Sequence, residues 1–325
     1  MNAVPVAEIV RNGFVEGHHY GSVVALAPDG TVAWSVGDAD VPILPRSCNK
    51  PLQALGMVRL GVDLPPELLA LACASHSGEG FHIEGVRRIL ASAGLIEGDL
   101  QTPPDYPLDD EAREAIIREG GGREPVLMNC SGKHAAMLAT CVANDWPTDT
   151  YRDPDHPLQR SIAATFADLT GEPIAVTAVD GCGAPLFSSS LVGLATAFRR
   201  LALGTDASGG ADAGARRVAE AIRAHPAYVS GSTRDELALL TAIPAAIGKA
   251  GAEGCYAVAL PDGRAFALKT DDGAARVRPV LMAEALRRAG VLEEPGVDAD
   301  AVRRTGRVEV LGGGRPVGEI RAILP

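Results

Sequence analysis

A chain of 325 residues with a net charge of −11 offers little counter-charge to nucleic acid or an anionic membrane, so a small-molecule partner is the better expectation. Apolar residues make up 46 % of it and aromatics only 4 %, which predicts a core of Ala, Leu and Val filling one domain of two intimate lobes. No apolar run reaches about 18 residues, and the first thirty residues lack a basic start followed by an apolar stretch, a pattern expected of a cytoplasmic protein.

Residues 6–37 alternate around Asp29-Gly30, predicting two strands joined by a tight turn. From Pro45-Arg46-Ser47 onward helical periodicity dominates, with helices expected over 47–60, 66–74, 81–94, 109–119, 132–143 and 157–170. Ile174–Val179 reads as a buried strand ending at Asp180-Gly181. Helices near 189–202, 212–224 and 232–247 follow, with the Gly/Ala/Asp-rich stretch 203–213 as a mobile loop. Tyr256–Leu260 and Arg264–Lys269 flank Pro261-Asp262-Gly263, a hairpin signal, and a helix over 278–290 and strands near 306–322 complete the chain. Strands therefore gather at both ends with helices between them. That order predicts an α/β (α+β) fold, residues 1–325 forming one domain in which both termini build the sheet lobe (about 1–46 and 250–325) around an inserted helical lobe (about 47–249).

Lysine is scarce: Lys50, Lys133, Lys249 and Lys269 stand against 26 arginines. Arginine cannot give up its proton in a protein, whereas a desolvated lysine can become a neutral base or a metal ligand. Ser47 and Lys50 are three apart at an expected helix start, close enough for the amine to take the hydroxyl proton, although Ser47 could equally be a helix N-cap. Ser75-His76-Ser77-Gly78-Glu79 forms a polar loop between helices. Asn129-Cys130-Ser131-Gly132-Lys133-His134 places a thiol, an amine and an imidazole in one turn, and Asp180-Gly181-Cys182-Gly183 adds a carboxylate and a thiol at a strand end. Cys130 and Cys182 match no standard zinc spacing, and reduced thiols are the default for all six cysteines. Lys249, flanked by glycine and alanine, could be a third catalytic partner, while Lys269 reads as a solvated strand end.

Taken together, Arg46-Ser47-x-x-Lys50-Pro51, Cys73-Ala74-Ser75-His76-Ser77, the 129–134 turn, Asp155-His156-Pro157-x-Gln159, Asp180-Gly181-Cys182, His225-Pro226 and Gly248-Lys249 resemble the rhizobial-type asparaginase II family. The resemblance runs from about residue 10 to 270. It implies a serine-β-lactamase-like fold, a homodimer and L-asparagine as substrate, with aspartate and ammonia released. It further implies Ser47 as nucleophile with Lys50 as its base, and Ser75 with Lys249 as a second Ser–Lys pair. Cys130, Lys133 and Cys182 would match the family's zinc ligands, and Arg46, His134 and Asp180 its substrate contacts. Loops rich in Ala and Gly depart from the family, which leaves substrate range and metal affinity open.

For a lysine to act as base it must be neutral, which desolvation and a like charge nearby favour. Three rivals stand beside this reading: a penicillin-interactive Ser-x-x-Lys enzyme, a hydrolase using zinc-bound hydroxide, and an amino-acid sensor without turnover. The first is weakened by the missing export signal and by Lys269-Thr270-Asp271 standing where a Lys-Thr-Gly would be expected.

Overall fold

The computed structural model describes residues 3–324. Its strands are β1 (Val4–Arg11), β2 (Phe14–Leu26), β3 (Val32–Val36), β4 (Thr177–Val179), β5 (Pro185–Phe187), β6 (Ile247–Ala250), β7 (Cys255–Ala259), β8 (Ala265–Thr270), β9 (Val308–Gly312) and β10 (Arg315–Ala322). Among the described residues β4 and β5 form a separate two-stranded sheet, and the other eight strands form one antiparallel sheet in the order β6-β7-β8-β2-β1-β10-β9 with β3 also on β2. Both termini do build the sheet, as expected.

Strand β2 organises it. Its first half pairs with β1, from Gly21 opposite Val4 to Phe14 opposite Arg11, and its second half pairs with β8 on one edge and β3 on the other. Two strands were expected over 6–37, but three form, because Asn12 and Gly13 both take positive φ and close an extra two-residue hairpin. Asp29-Gly30 closes the hairpin that was expected.

The helices are α1 (Lys50–Arg59), α2 (Pro66–Ala72), α3 (Gly80–Ser92), α4 (Asp110–Arg118), α5 (Ser131–Ala143), α6 (Pro157–Thr170), α7 (Leu191–Leu203), α8 (Ala213–Ala224), α9 (Pro226–Val229), α10 (Asp235–Ala242), α11 (Arg278–Arg288) and α12 (Ala299–Thr305). Helices α7 and α11 pack against the sheet, and α1, α2, α5 and α6 pack on one another. Strand β7 is buried along its whole length, so apolar side chains on both of its faces are removed from water.

Three expectations are corrected. The strand expected over Ile174–Val179 is only β4, and it is not buried, with Val179 75 % exposed beside the turn that carries Asp180. The helix expected over 232–247 ends at Ala242, because Pro244 keeps Ile243 out of the helical region (φ −129°, ψ 76°), and the chain continues as strand β6. Helix α12 went unread in the sequence; Asp298 caps it by accepting from the Ala301 N–H at 2.9 Å. The stretch 203–213 is tied by the Asp206 carboxylate, which accepts from Ser208 and Gly210 N–H groups.

Candidate active site

Arg46–Asn49 form a single 3-10 turn packed against β5, β6 and β7. Gly251 permits that approach, because a Cβ there would lie 2.7 Å from the Pro45 carbonyl oxygen. Arg46 takes φ +51, a left-handed conformation that costs an arginine about 1 kcal/mol or more and sits beside Ser47. The 3-10 turn leads directly into α1, whose second residue, Pro51, lacks an N–H where none is needed. Lys50 is thereby carried 1 % exposed into the interior.

Its amine does not meet Ser47. Lys50 Nζ donates to the Ala74 carbonyl at 2.5 Å and to Ser75 Oγ at 2.9 Å, while the half-buried Ser47 hydroxyl makes no hydrogen bond among the described residues. Lys249 does not meet Ser75 either. Its amine donates to Glu236 Oε1 at 2.6 Å and to the Ala250 carbonyl at 2.8 Å. The structure thus joins Ser75 to Lys50 in place of the sequential pairs, with the Lys249 charge close enough to act on its surroundings through space. Cys48, next to Ser47, donates its thiol to the Lys249 carbonyl at 3.0 Å and so ties the turn to β6.

The second cluster lies at the start of α5. Gly132 lets that helix settle on α2, since a Cβ there would stand 2.7 Å from the Leu71 carbonyl. Cys130 and Cys182 pack together with Met128 and Ala184, and Lys133 Nζ donates to Cys182 Sγ at 3.1 Å. The Cys130 sulfur packed against it, Lys133 and His134 hold the Cys182 thiol well below the usual thiol range, against the effect of burial, while the Cys130 thiol itself donates to Asn129 Oδ1 at 3.1 Å. The Cys130 thiol is pushed up by that same contact with Cys182 and by burial. Burial opposes the charge on Lys133, but Cys182, Cys130 and Asp180 outweigh it and hold the amine above its ordinary value.

His134 is fully buried, its Nδ1 bonded to the Tyr151 hydroxyl at 2.7 Å and its Nε2 left without a hydrogen bond beside Cys182. Burial lowers its pKa to about 4, so the ring is neutral. A thiolate, a second thiol, a convertible amine and an orphaned imidazole nitrogen form a donor set that fits a borderline-soft cation such as zinc. Among the described residues no three His, Cys, Asp or Glu side chains are gathered as metal ligands, His134, Cys130 and Cys182 included, so a cation here would depend on the Lys133 amine as its third donor.

Arg46 and Asp180 join the two clusters. Arg46 Nε donates to Asp180 Oδ1 at 2.8 Å, and Arg46 Nη1 lies 3.5 Å from Glu253 Oε1. Four participants escaped the sequence reading. Glu236, Glu253 and Tyr151 sit in no recognisable pattern, and Ser131, though inside the 129–134 motif, is bonded to His76 Nε2 at 2.8 Å, a partner that only the fold reveals. Lys269 donates to the Glu253 and Thr270 carbonyls at a strand end, as expected of it.

Hydroxyls, buried amines and a thiol pair brought to one place make a site of the hydrolase class, suited to nucleophilic or metal-assisted chemistry. More narrowly, the chain belongs to the L-asparaginase II family, which its residues 7–322 match. No curated protein sequence matches it. Solved structures with some likeness include the protein Mglu in its native form (16 % identity, TM-score 0.47, covering 83 % of this chain and 64 % of Mglu). A β-lactamase from Mycobacterium bovis follows at 15 % identity and TM-score 0.44, covering 82 % of this chain and 94 % of that one. A Bacillus glutaminase stands at 12 % identity and TM-score 0.38, covering 83 % and 91 %. These scores are too low to bear on chemistry, and this chain spans under two thirds of Mglu.

Proposed function

We propose that this amidohydrolase cleaves L-asparagine to L-aspartate and ammonia through an acyl-enzyme on Ser47. One observation carries the reading: Lys50 is buried beside the turn that presents Ser47, and among the described residues its amine is hydrogen-bonded to the neutral oxygens of Ala74 and Ser75 and to no carboxylate. A primary amide is a poor electrophile, so the site must activate its nucleophile and protonate the departing nitrogen. Ser47 Oγ attacks the side-chain amide carbon while its proton passes to Lys50, whose amine turns from the Ala74 carbonyl to reach it. Ser75, already bonded to Lys50, relays that proton to the nitrogen as the C–N bond breaks and ammonia leaves. Water then adds to the Ser47 ester, giving its proton to Lys50; the ester bond breaks, Ser47 Oγ is reprotonated and aspartate departs.

Arg46, Asp180 and His134 are assigned to substrate contact. Arg46 and Asp180 are partly exposed and pair with each other, so each can turn its charge toward an amino acid's carboxylate or ammonium. Cys130, Cys182 and Lys133 would hold zinc, with Lys133 giving up its proton to ligate. When bound, the ion supplies a fixed positive charge that orients substrate. We further infer a cytoplasmic homodimer, which light scattering of the purified protein checks. Among the described residues no helix is long and apolar enough to cross a membrane.

A coupled ammonia assay with asparagine and glutamine side by side tests the reading. Release from asparagine supports it; release only from glutamine moves the substrate assignment. Release from neither, with zinc supplied, leaves the sensor reading standing.

A further inference from the structure

Glu236 has no counterpart among the residues that the sequence motifs single out. It lies in the first turn of α10 and its side chain is fully buried. Oε1 accepts from Lys249 Nζ at 2.6 Å and from the Ala250 N–H at 2.7 Å, while Oε2 faces Arg234 Nη2 at 3.3 Å without a hydrogen bond. A buried carboxylate with an unsatisfied oxygen is expensive unless its partners are charged. The site therefore contains two buried amines in opposite settings. Lys249 is bonded to an acid, and Lys50 is bonded to a carbonyl and a hydroxyl.

We propose that Glu236 is a positioning residue that keeps Lys249 as a fixed ammonium, so that Lys249 serves the site as a cation and Lys50 is the amine free to take the proton of Ser47. The assignment of Lys50 rests on the function proposed above; the charge on Lys249 does not.

The surroundings of Lys249 support this division. Lys50 faces it from α1, Cys48 from the 3-10 turn, Cys73 from the end of α2, and Asp235 and Arg234 from the start of α10. Tyr256 on β7 faces Asp235 and Glu236 behind it. Burial pushes Cys48, Cys73 and Tyr256 up, so all three are neutral, and it raises Asp235 as well. Glu236 is the one acid hydrogen-bonded to the amine among the described residues. Burial would raise its carboxyl, but Lys249 and Arg234 outweigh it and hold the group ionised. An ammonium bonded to Glu236 Oε1 and the Ala250 carbonyl keeps one N–H for the site.

Burial lowers the proton affinity of Lys249 and Glu236 opposes it. Removing the carboxylate must therefore let Lys249 lose its proton at lower pH. With four lysines in the chain, 15Nζ-lysine NMR resolves them, and the Lys249→Met variant assigns the signal. In the wild-type protein the Lys249 resonance is expected to be that of an ammonium at neutral pH; in Glu236→Gln it should convert to the amine at a pH lower by about one unit or more. Turnover by Glu236→Gln should fall at least about tenfold in kcat with KM little changed, and its alkaline limb should move to lower pH. Glu236→Asp, which keeps the charge, should recover part of the rate, and Glu236→Gln should add little to the loss caused by Lys249→Met. An unaltered Lys249 titration in Glu236→Gln overturns the proposal, as does an acid limb that extends downward, which would make Lys249 a base. If the glutamine variant does not fold, an amine signal for Lys249 in the wild type at neutral pH overturns it alone. If no amide is hydrolysed but the signal shifts as expected, the assignment of Glu236 stands and the asparaginase reading falls.

Discussion

Lys50 and Lys133 are each 1 % exposed and each lie in the first turn of a helix, yet they are built for different work. Lys50 meets a carbonyl and a hydroxyl, whereas Lys133 meets a sulfur held as thiolate. Burial is the same in both places, so the partner decides: a neutral acceptor leaves an amine free to trade a proton, and an anion keeps it charged until a cation displaces that proton. One region is thus suited to moving protons and the other to holding a metal.

The harshest way to break this comparison is to remove the proton-moving side. Ser47→Ala and Lys50→Met are each expected to lower asparagine turnover by about a thousandfold or more, since nucleophile and base act as a unit. Lys50→Arg should do equal damage because arginine keeps the charge but cannot accept a proton. Ammonia release by folded variants, checked by circular dichroism, measures this. A Ser47→Ala protein near wild-type rate would move the chemistry to the thiol cluster.

Local patterns were legible, and pairings across the fold were not. The sheet from both termini, the hairpins at Asp29-Gly30 and Pro261-Asp262-Gly263, and helix α6 with its His156 cap and Pro157 start all follow from signals a few residues long. The Ser47-x-x-Lys50 spacing is just as local, but it suggested a contact that the 3-10 turn does not make. The burial of Lys249 against Glu236 depends on β6, which Pro244 separates from α10; the sequence pattern places only Ile247 of it in a helix and the rest just ahead of a strand. A buried acid 13 residues from its lysine carries no periodic mark.

A gentler probe loosens the metal side by acid. His82 stacks on His76, whose Nε2 bonds Ser131 in the Cys130–Lys133 turn. Burial lowers the His82 pKa to about 4 and lowers His76 well below the imidazole range. Below pH about 6.5 the unfolded chain therefore binds protons that the folded one refuses, so stability is full above that pH and declines as pH falls toward 4. His82 alone should account for about 3 kcal/mol of the loss. Urea melts at pH 7 and 4.5 measure it, and His82→Gln should remove its own share of the difference while buried His76 and His134 keep theirs; an unchanged dependence would count against a neutral His82.

Taking away the metal ligands should do less to the rate than removing Ser47. Cys182→Ser and Cys130→Ser are expected to lose zinc by elemental analysis and to raise KM for asparagine by about ten- to a hundredfold, with kcat changing less. Zinc binding should weaken at lower pH as protons compete for the sulfurs and for Lys133. If chelation abolished kcat outright, a metal-activated water would replace Ser47 as the attacking group. If reconstituted protein held no zinc, Cys130 and Cys182 would be structural thiols.

The smallest effect should come from Lys269, the one lysine left partly exposed. It caps carbonyls of Glu253 and Thr270 at the end of β8 and has no bond to Ser47, Ser75 or either thiol. Lys269→Met removes one partly solvated hydrogen-bonding head, so turnover should stay within about twofold and stability within about 1 kcal/mol. Lys249→Met strips a fully buried partner from Glu236 and should cripple turnover. The two variants remove the same side chain in favour of the same replacement, differing only in where the amine stood. Because Glu253 also contacts Arg46, a large loss in Lys269→Met would show that the Lys269–Glu253 link reaches the substrate side of the site. Equal losses in both variants would mean that burial and partner had failed to tell a working lysine from an idle one.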